Sequence, residues 1–214
     1  EIGSQETSED TALVLILEAT DVDEDDLTFS ATSDTTAVAV FIAGDSLTMV
    51  PSADWNGTAN ITVTVSDGFL TDSDDFTLTV TPVNDDPTID LPESFTFEED
   101  SSLVEDFTQY IGDIDEDELT LTVSGDENVT VSIDGFVVTF GAQQDFNGTE
   151  TLTFTVNDNQ RRAIASDSLD IHVDPVNDAP VLTEIGLQET SEDTALVLTL
   201  SAEDVDEDNL TFSA

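Results

Sequence analysis

The sequence contains no cysteine and no lysine, and it has a single histidine among its 214 residues. Without cysteine there are no disulfides, so small domains must be held together by packing or by bound ions. Sites for zinc, copper or iron are disfavoured, because thiolates are absent and only one imidazole is present. Nucleophilic catalysis also has little material, since it needs a nucleophile beside a general base. We therefore expect no catalytic residues and no enzymatic activity.

Positive charge is almost absent. Fifty acidic side chains face two basic ones, Arg161 and Arg162, which gives a formal net charge of -48. Nucleic acids and anionic lipids are excluded as partners, because binding them requires cations that displace counterions. The acidic excess favours metal cations, and it is also typical of halophilic or marine proteins with carboxylate-rich surfaces. Both interpretations stay open, and the two arginines are expected to pair with nearby acids.

Long apolar runs are also missing. No stretch reaches the roughly 18 residues of a membrane-spanning helix, and no signal-peptide pattern is present. We therefore expect no membrane insertion in this segment, and we expect the chain to be part of a longer protein. Its hydrophobic fraction of 38% is nevertheless sufficient for small cores.

Internal repetition organises what is present. Residues 1–31 return at 184–214 with five substitutions, and a more divergent copy lies between them, where SADWNGTANITVTVSDG (52–68) matches QQDFNGTETLTFTVNDN (143–159). The repeat is therefore about 91 residues long, a usual size for one domain. The predicted domains are a first repeat, a second repeat and the N-terminal part of a third, at 1–86, 87–179 and 180–214.

Hydrophobic residues alternate with threonine in NITVTVSD (60–67) and DFTLTVTPV (75–83). This period of two predicts half-buried antiparallel strands. The predicted strands of the first repeat are 2–7, 11–19, 27–32, 37–43, 46–50, 59–66 and 75–83. Those of the second are 93–98, 102–111, 119–124, 128–133, 136–140, 150–157 and 167–175.

Seven short strands in about 90 residues predict an all-β fold of immunoglobulin-like, seven-stranded Greek-key sandwiches. The aromatic residues of DWNGT and DFNGT, Trp55 and Phe146, are expected to pack into the cores. The linkers VNDDP and VNDAP are short, and their prolines keep the preceding backbone extended. The sandwiches are therefore expected to follow one another end to end as a rod.

An acidic phrase, DVDEDDLTFS (21–30), occurs three times, returning as DIDEDELTLT at 113 and DVDEDNLTFS at 204. Its D-x-D-x-D start is typical of an EF-hand, but the rest of the loop does not fit. Asp26 stands where glycine is needed, Thr32 stands where a bidentate glutamate is needed, and a strand follows instead of a helix. An EF-hand is therefore disfavoured.

Five short motifs occur in the same order along the repeats: a glutamate before the second strand, D-x-D, D-x-N-G, V-x-D, and a closing P-V-N-D-x-P. This order resembles the cadherin repeat, and in particular the cadherin-like tandem domains of large bacterial surface proteins. The resemblance implies Ca²⁺ bound at each joint by oxygens from the upper domain, the linker and the lower domain. Calcium also suits the composition, because it takes six to eight hard oxygen ligands.

The resemblance assigns ligands to two joints. For the first joint they are Glu9, Asp54, Asn56, Asn84, Asp85, Asp86, Asp113, Asp115 and Asp158. For the second joint they are Glu99, Asp145, Asn147, Asn177, Asp178, Asp204 and Asp206.

The sequence also departs from the cadherin pattern. Pro82 and Pro175 stand where cadherins have the first linker aspartate, and Asn56 and Asn147 replace the glutamate of their L-D-R-E segment. Fewer ions per joint than in cadherins are therefore expected.

The leading functional hypothesis is a Ca²⁺-rigidified segment of a large secreted or cell-surface protein, expected to be bacterial, that acts in attachment or biofilm formation. Its partners would be calcium ions, neighbouring repeats, and a cell-surface protein or carbohydrate receptor. Alternatively, the repeats themselves bind a homophilic or carbohydrate ligand, or they are a spacer of a secreted polysaccharide-active enzyme.

One structural problem follows from the truncated third repeat. Its apolar residues 196–200 lack a covering sheet and are expected to be poorly ordered or paired with another chain.

Overall fold

The computed structural model describes residues 1–160 and 164–213. Arg161 and Arg162, with the ion pairs expected for them, lie outside the described residues. The chain divides into two compact units, residues 1–85 and residues 86–214, and each unit is described by itself. The division into three repeats at 1–86, 87–179 and 180–214 stays a prediction.

Unit 1 is a sandwich of two sheets. One sheet has four strands in the order β1-β7-β6-β3, and the other has three in the order β2-β5-β4. The strands are β1 (Gln5–Ser8), β2 (Leu13–Ile16), β3 (Thr28–Ser33), β4 (Val38–Ala43), β5 (Ser46–Pro51), β6 (Gly57–Ser66) and β7 (Thr71–Thr81). The pair β1 and β7 is parallel, whereas the other pairs are antiparallel.

The core of unit 1 follows from the alternation in the sequence. Ile61 on β6 lies opposite Phe76 on β7, and both side chains are buried. Thr62, the next residue on β6, points to the other face, and its hydroxyl donates a hydrogen bond to Asp75 Oδ1 at 2.5 Å. Burial of each large apolar side chain contributes about 1.5–3 kcal/mol. Trp55 packs against this core, as predicted.

Unit 2 repeats the arrangement, with sheets in the order β12-β15-β16-β9 and β10-β14-β13 and two short added pairs, β8 with β11 and β17 with β18. Its first strands are β8 (Thr88–Ile89), β9 (Ser94–Glu98), β10 (Ser102–Asp106), β11 (Ile111–Gly112) and β12 (Thr120–Ser124). The remainder are β13 (Val129–Asp134), β14 (Val137–Ala142), β15 (Gly148–Asn157), β16 (Ile164–Asp174), β17 (Val181–Leu182) and β18 (Ala202–Glu203).

Both units thus have the seven-stranded, four-plus-three arrangement of an immunoglobulin-like sandwich, and the predicted fold class is confirmed. Phe146 packs against the core of unit 2, as predicted. No helix in the described residues is long and apolar enough to cross a membrane.

The predicted strand 102–111 is wrong in its second half. The strand ends at Asp106, and residues Phe107–Gln109 form a 3-10 turn. Asp106 causes this break, because its Oδ1 accepts hydrogen bonds from the N–H of Thr108 at 3.0 Å and from its hydroxyl at 2.6 Å. The turn directs the fully buried Phe107 ring against three other phenylalanine rings and Tyr110.

The segment after β16 forms little secondary structure. Only β17 and β18 pair there, and residues 183–200 contain no strand. Leu196, Val197, Leu198 and Leu200 are between 38% and 86% exposed. In unit 1 the same sequence forms β1 and β2 because β7 and β5 lie beside it. No strand among the described residues plays that part for 184–200, and the assignment of this segment to a third repeat stays a prediction.

Phe107→Ala should destabilise unit 2 by about 3–5 kcal/mol, because the lost ring leaves a cavity among packed aromatics. Val104→Ala is the matched control, since Val104 lies on β10 in the same unit and is 59% exposed. Hydrogen exchange resolved along the sequence should show reduced protection in unit 2 and unchanged protection in unit 1, which has its own core. Equal loss in both units would contradict independent cores.

The hydrogen-bonded carboxylate of Glu150 makes the stability of unit 2 depend on pH. Glu150 Oε1 accepts the N–H of Glu127 at 2.6 Å, and Oε2 accepts the N–H of Asn128 at 2.8 Å and its side-chain amide at 2.9 Å. Burial opposes ionisation of Glu150, but these hydrogen bonds with Asn128, Val129 and Glu127 outweigh it and lower the pKa of the carboxyl. The contact fixes the loop that leads into β13.

The pKa of Glu150 is lower in the folded state than in the unfolded chain. Its contribution to the free energy of unfolding is therefore fully present at pH values above the unfolded-state pKa, and it is lost as the pH falls through the folded-state pKa. Glu150→Gln should cost about 1 kcal/mol at pH 7. Between pH 7 and about pH 3 the wild type should lose more free energy of unfolding than this variant, with the exposed neighbour change Glu127→Gln as control. Parallel pH profiles for wild type and Glu150→Gln in urea titrations would refute this role.

Candidate metal centre

The first predicted ligand, Glu9, lies where β1 ends. Because β1 runs parallel to β7, with Ser8 opposite Thr81, the residue after β1 lies beside the linker after β7. The N–H of Glu9 donates to the carbonyl of Thr81 at 3.0 Å, and Glu9 Oε1 accepts the N–H of Val83. Pro82 has no N–H, so Val83 offers the first linker donor. Glu9 is only 2% exposed.

Unit 2 contains the same arrangement at Glu99. Its N–H donates to the carbonyl of Asp174 at 2.9 Å, and its Oε1 accepts the N–H of Val176 at 2.7 Å, again just after a proline. Glu99 is also 2% exposed. The two buried glutamates are therefore positioned by the parallel pairing of the first and last strands of each sandwich.

The second carboxylate oxygen distinguishes the two glutamates. Glu9 Oε2 accepts a hydrogen bond from Asn56 Nδ2 at 3.5 Å, whereas Glu99 Oε2 is buried and has no hydrogen-bond partner among the described residues. A buried, uncompensated carboxylate oxygen is costly. This oxygen is therefore a suitable ligand for a cation.

Asp178, in the linker after β16, lies in a group of acids. Its N–H donates to Asp206 Oδ2 at 2.6 Å, and its Oδ2 is buried without a hydrogen-bond partner in the described part of the chain. Burial raises the pKa of Asp178, and so do the charges of Asp100, Asp145, Asp206 and Glu99. Four other carboxylates thus lie near enough to Asp178 to oppose its ionisation.

In unit 1, three carboxylates form a compact group. One oxygen from each of Asp10, Asp54 and Asp85 lies within 4.8 Å of the others, and Asp10 Oδ1 accepts the N–H of Asp54 at 3.2 Å. The turn that carries Asp54 requires glycine at position 57, because φ there is 146° and a Cβ would lie 3.1 Å from the Trp55 ring.

The D-x-D-x-D phrase forms a turn centred on its first aspartate. Asp113 Oδ1 accepts the N–H groups of Asp115 at 2.9 Å and Asp117 at 3.3 Å, and one oxygen from each of the three lies within 4.8 Å of the others. Asp113 Oδ2 is buried and has no hydrogen-bond partner among the described residues. Asp21 and Asp204 make the same two backbone contacts. In each copy of the phrase, one carboxylate oxygen of the first aspartate therefore accepts backbone N–H groups and fixes the turn.

The structure brings together four residues predicted for the second joint, all within unit 2, and the turn at Asp204 carries Asp206. These four are Glu99, Asp145, Asp178 and Asp206. Of the other three predicted residues, Asp204 forms the turn that carries Asp206, Asn177 donates from Nδ2 to the carbonyl of Asp178 at 2.8 Å, and Asn147 is exposed. Sequence reasoning missed Asp100, although the recurrent Glu-Asp pair at 9–10, 99–100 and 192–193 was a signal.

The residues predicted for the first joint fall in both units, and their assignment to one site stays a prediction. In unit 1, Asn84 Nδ2 donates to the carbonyl of Asp85 at 2.9 Å, the same contact that Asn177 makes in unit 2. In unit 2, Asp86 is exposed, whereas Asp158 is 1% exposed and its Oδ1 accepts the N–H of Gln160 at 2.8 Å. The remaining members are Glu9, Asp54, Asn56, Asp113 and Asp115.

Each of the two sandwiches carries acidic residues at its strand ends, and each matches a known family of β-sandwich domains. Residues 2–81 match the family described as "Cadherin-like domain", and residues 84–172 match the family described as "Bacterial Ig domain". The resemblance to cadherin-like repeats of bacterial proteins is thereby confirmed. No curated protein matches the sequence.

Solved structures agree with the fold. Drosophila N-cadherin EC1-4 is 17% identical, with 81% of this chain and 48% of that chain covered and a TM-score of 0.52. The extracellular cadherin domains 1-5 of protocadherin gamma B2 are 17% identical, with 84% and 39% covered and a TM-score of 0.54. An endo-fucoidan hydrolase of glycoside hydrolase family 107 is 20% identical, with 82% and 27% covered, but its TM-score is 0.35. This chain therefore spans between a quarter and a half of these chains.

Cadherin-like and bacterial Ig domains are typically non-catalytic and usually extracellular or surface-exposed, and they suggest an adhesion or spacer module. Cadherin-like domains generally bind Ca²⁺ and neighbouring repeats. The acidic groups described above lie in domains of a kind that generally binds this ion.

Glu99→Gln should stabilise unit 2 in the presence of a chelator by about 1 kcal/mol, because it removes a buried charge and retains the Oε1 that accepts the Val176 N–H. The matched control is Glu98→Gln, one residue earlier and exposed. Thermal unfolding in EDTA at low ionic strength measures both. If both variants rise equally, general repulsion rather than the unpartnered oxygen is responsible.

Proposed function

We propose that this chain is a calcium-stiffened segment of a large secreted or cell-surface adhesin, and that it extends a binding domain away from the cell during attachment or biofilm formation. The observation that carries the proposal is the buried Oε2 of Glu99, which has no hydrogen-bond partner within residues 1–160 and 164–213 and belongs to a group of acids that includes Asp178. The family context supports it, since cadherin-like domains generally bind Ca²⁺.

The donor set in unit 2 fits calcium. All five acidic groups offer hard oxygen ligands, and together they can supply the six to eight oxygens that Ca²⁺ takes at about 2.3–2.6 Å. The group contains five carboxylates, and the charges that raise the pKa of Asp178 are those of the other four. When bound, the ion would supply the positive charge that this group lacks. The ligands would be Glu99, Asp100, Asp145, Asp178 and Asp206.

The protein holds these groups in place with its own backbone. Val176 N–H fixes Glu99, and Asp178 N–H fixes Asp206, which the Asp204 turn also orients. The ligands therefore come from three parts of unit 2: the end of the sandwich, the linker after β16, and the D-x-D-x-D turn.

Charge balance would make this contact conditional on the ion. Two like charges 4 Å apart repel by about 1 kcal/mol in water and by several-fold more in a partly buried site. Without the ion, repulsion separates the linker and the turn from the sandwich. With the ion, the same carboxylates hold the three parts together, and the linker becomes stiffer and less accessible to proteases.

Titration with Ca²⁺ after chelation should raise the melting temperature of unit 2, with a Kd on the order of 10⁻⁴–10⁻³ M, as in other extracellular modules. At a concentration of 100 times Kd, one site should add about 2.7 kcal/mol to the free energy of unfolding. Differential scanning calorimetry measures the shift, and small-angle scattering with EDTA and with Ca²⁺ measures the stiffening.

Two controls separate a specific site from an acidic surface. NaCl at matched ionic strength should give a much smaller shift, and Mg²⁺ should bind more weakly, because it dehydrates reluctantly and requires octahedral geometry. If NaCl reproduces the whole effect, the carboxylates serve solubility in salt and the calcium proposal fails.

A further inference from the structure

We propose that unit 1 has a strand-docking groove beside Ala19 and Thr20, and that its ligand is the segment 180–183 of a second copy of this chain. The docked segment would add a short antiparallel strand to unit 1, so copies would join head to tail. This contact needs no calcium, and it goes beyond the proposed function.

Two short strand pairs in unit 2 follow one rule. β8 begins directly after Pro87 and pairs antiparallel with β11, which ends directly before the acidic phrase at 113. β17 begins directly after Pro180 and pairs antiparallel with β18, which ends directly before the acidic phrase at 204. In both pairs the first residue of the added strand lies opposite the last residue of its partner. The segment after a linker proline is therefore an added strand for the residues that precede the acidic phrase.

Unit 1 has the acceptor for such a strand. Ala19 and Thr20 directly precede the acidic phrase at 21, in the position that Ala202 and Glu203 of β18 take before the phrase at 204. Residues 184–203, which contain β18, repeat residues 1–20 with four substitutions. Ala19 and Thr20 are exposed, and no strand within residues 1–160 and 164–213 pairs with them. The segment 180–183 thus already pairs with a near copy of this acceptor.

An apolar groove of about 670 Å³ lies beside the acceptor, and its lining includes Ala19, Thr20, Leu17, Phe29 and Val63. This volume is within the usual range of ligand pockets. In unit 2 the added strand β8 carries a side chain onto the corresponding core, since Ile89 packs against the hydrophobic cluster of that unit. A docked strand would therefore place an apolar side chain in the groove of unit 1.

The groove is present in unit 1 because two of its core side chains are small. Leu17 follows β2 as Phe107 follows β10, and Val63 takes the position on β6 that Phe154 takes on β15. In unit 2 the rings of Phe107 and Phe154 fill this space, with their centroids 4.9 Å apart. Leucine and valine leave room at the same place for a side chain from outside.

The segment 180–183 gains burial by changing partners. In its own chain Val181 is 70% exposed and Leu182 is 52% exposed, and residues 183–200 form no strand that could cover them. On unit 1 the segment would exchange one set of backbone hydrogen bonds for another, and Leu182 would also enter the apolar groove. Apolar burial is therefore the net gain. The segment PVLT carries no charge, which suits an apolar groove.

The donor and the acceptor are different surfaces of one chain. A contact of this kind is heterologous, and it joins copies into open chains unless the rotation between them closes a ring. Each copy offers one segment and one groove, so association should continue past the dimer.

Sedimentation velocity of the full chain in NaCl and EDTA tests the proposal. NaCl screens the repulsion between copies that each carry a net charge of -48, and EDTA prevents calcium from bridging them. The weight-average mass of the wild type should rise with protein concentration beyond that of a dimer. More NaCl should strengthen the association, whereas it would weaken a contact held by opposite charges.

Two variants separate the donor from the acceptor. Leu182→Asp places a charge on the donor segment, and Ala19→Pro removes a strand N–H from the acceptor edge, where proline also disfavours pairing. Each variant alone should stay monomeric. Ala19 lies outside the strands of unit 1, so Ala19→Pro should fold, which circular dichroism checks. Leu187→Asp is the matched control, because Leu187 is 93% exposed and the charge change is the same; it should associate as the wild type does.

An equimolar mixture of Leu182→Asp and Ala19→Pro should form dimers and no larger species. The groove of the first variant accepts the segment of the second, and the dimer then has neither an intact groove nor an intact segment left. Hydrogen exchange should show greater protection of residues 19–20 in this mixture than in Leu182→Asp alone.

A wild-type chain that stays monomeric at every concentration, even in high salt, would overturn the proposal. Association that survives Leu182→Asp would assign the contact to another segment, and a mixture that grows past the dimer would show that the contact is not head to tail; either result also overturns it. Calcium binding by the chain is measured separately, so none of these results bears on the proposed function.

Discussion

The parallel pairing of the first strand with the last is the contact on which the acidic groups depend. In each unit it brings the residue after the first strand beside the linker that follows the last strand, where a buried glutamate accepts the N–H of a valine. Proline precedes that valine and has no donor of its own, so the glutamate always finds the same partner. The sandwich therefore positions Glu9 and Glu99 through its backbone, whatever the rest of the acidic group does.

Because the chain has little positive charge, burying the carboxylates of Glu9 and Glu99 costs free energy that few basic side chains are available to offset. In most proteins an arginine or lysine can neutralise a buried carboxylate, but this chain has only Arg161 and Arg162 for 50 acids. Glu99 and Asp178 each keep a buried oxygen without a hydrogen-bond partner in the described residues. Internal compensation cannot be general in such a chain, and an external cation is the simplest source of the missing charge.

Much of the fold could be predicted from the alternation of apolar residues and threonine. The long strands β6, β7, β15 and β16 carry that alternation most clearly, and the predicted segments overlap all four. The break after Asp106 was missed, because an aspartate that caps a tight turn through its side chain leaves the apolar pattern around it unchanged. The short strand β8, which pairs with β11, was missed because two-residue pairings depend on tertiary contact rather than on local sequence.

The acidic groups could be predicted less completely. Motif order pointed to Glu99, Asp145, Asp178 and Asp206, and the structure brings these four together. It did not point to Asp10, which accepts the N–H of Asp54, 44 residues away, or to Asp100, whose charge acts on Asp178. Such contacts cannot be read from spacing along one strand.

The separation of two near-identical segments has a consequence for how this chain folds. Residues 1–31 and 184–214 differ at five positions, yet the repeat between them is divergent. Identical sequences compete for the same partner strands, and neighbouring domains that leave the ribosome one after the other are most exposed to that exchange. The dissimilar unit 2 sequence between the near-identical segments keeps interchangeable strands apart during synthesis, so β1 and β2 can pair with β7 and β5 before residues 184–214 emerge.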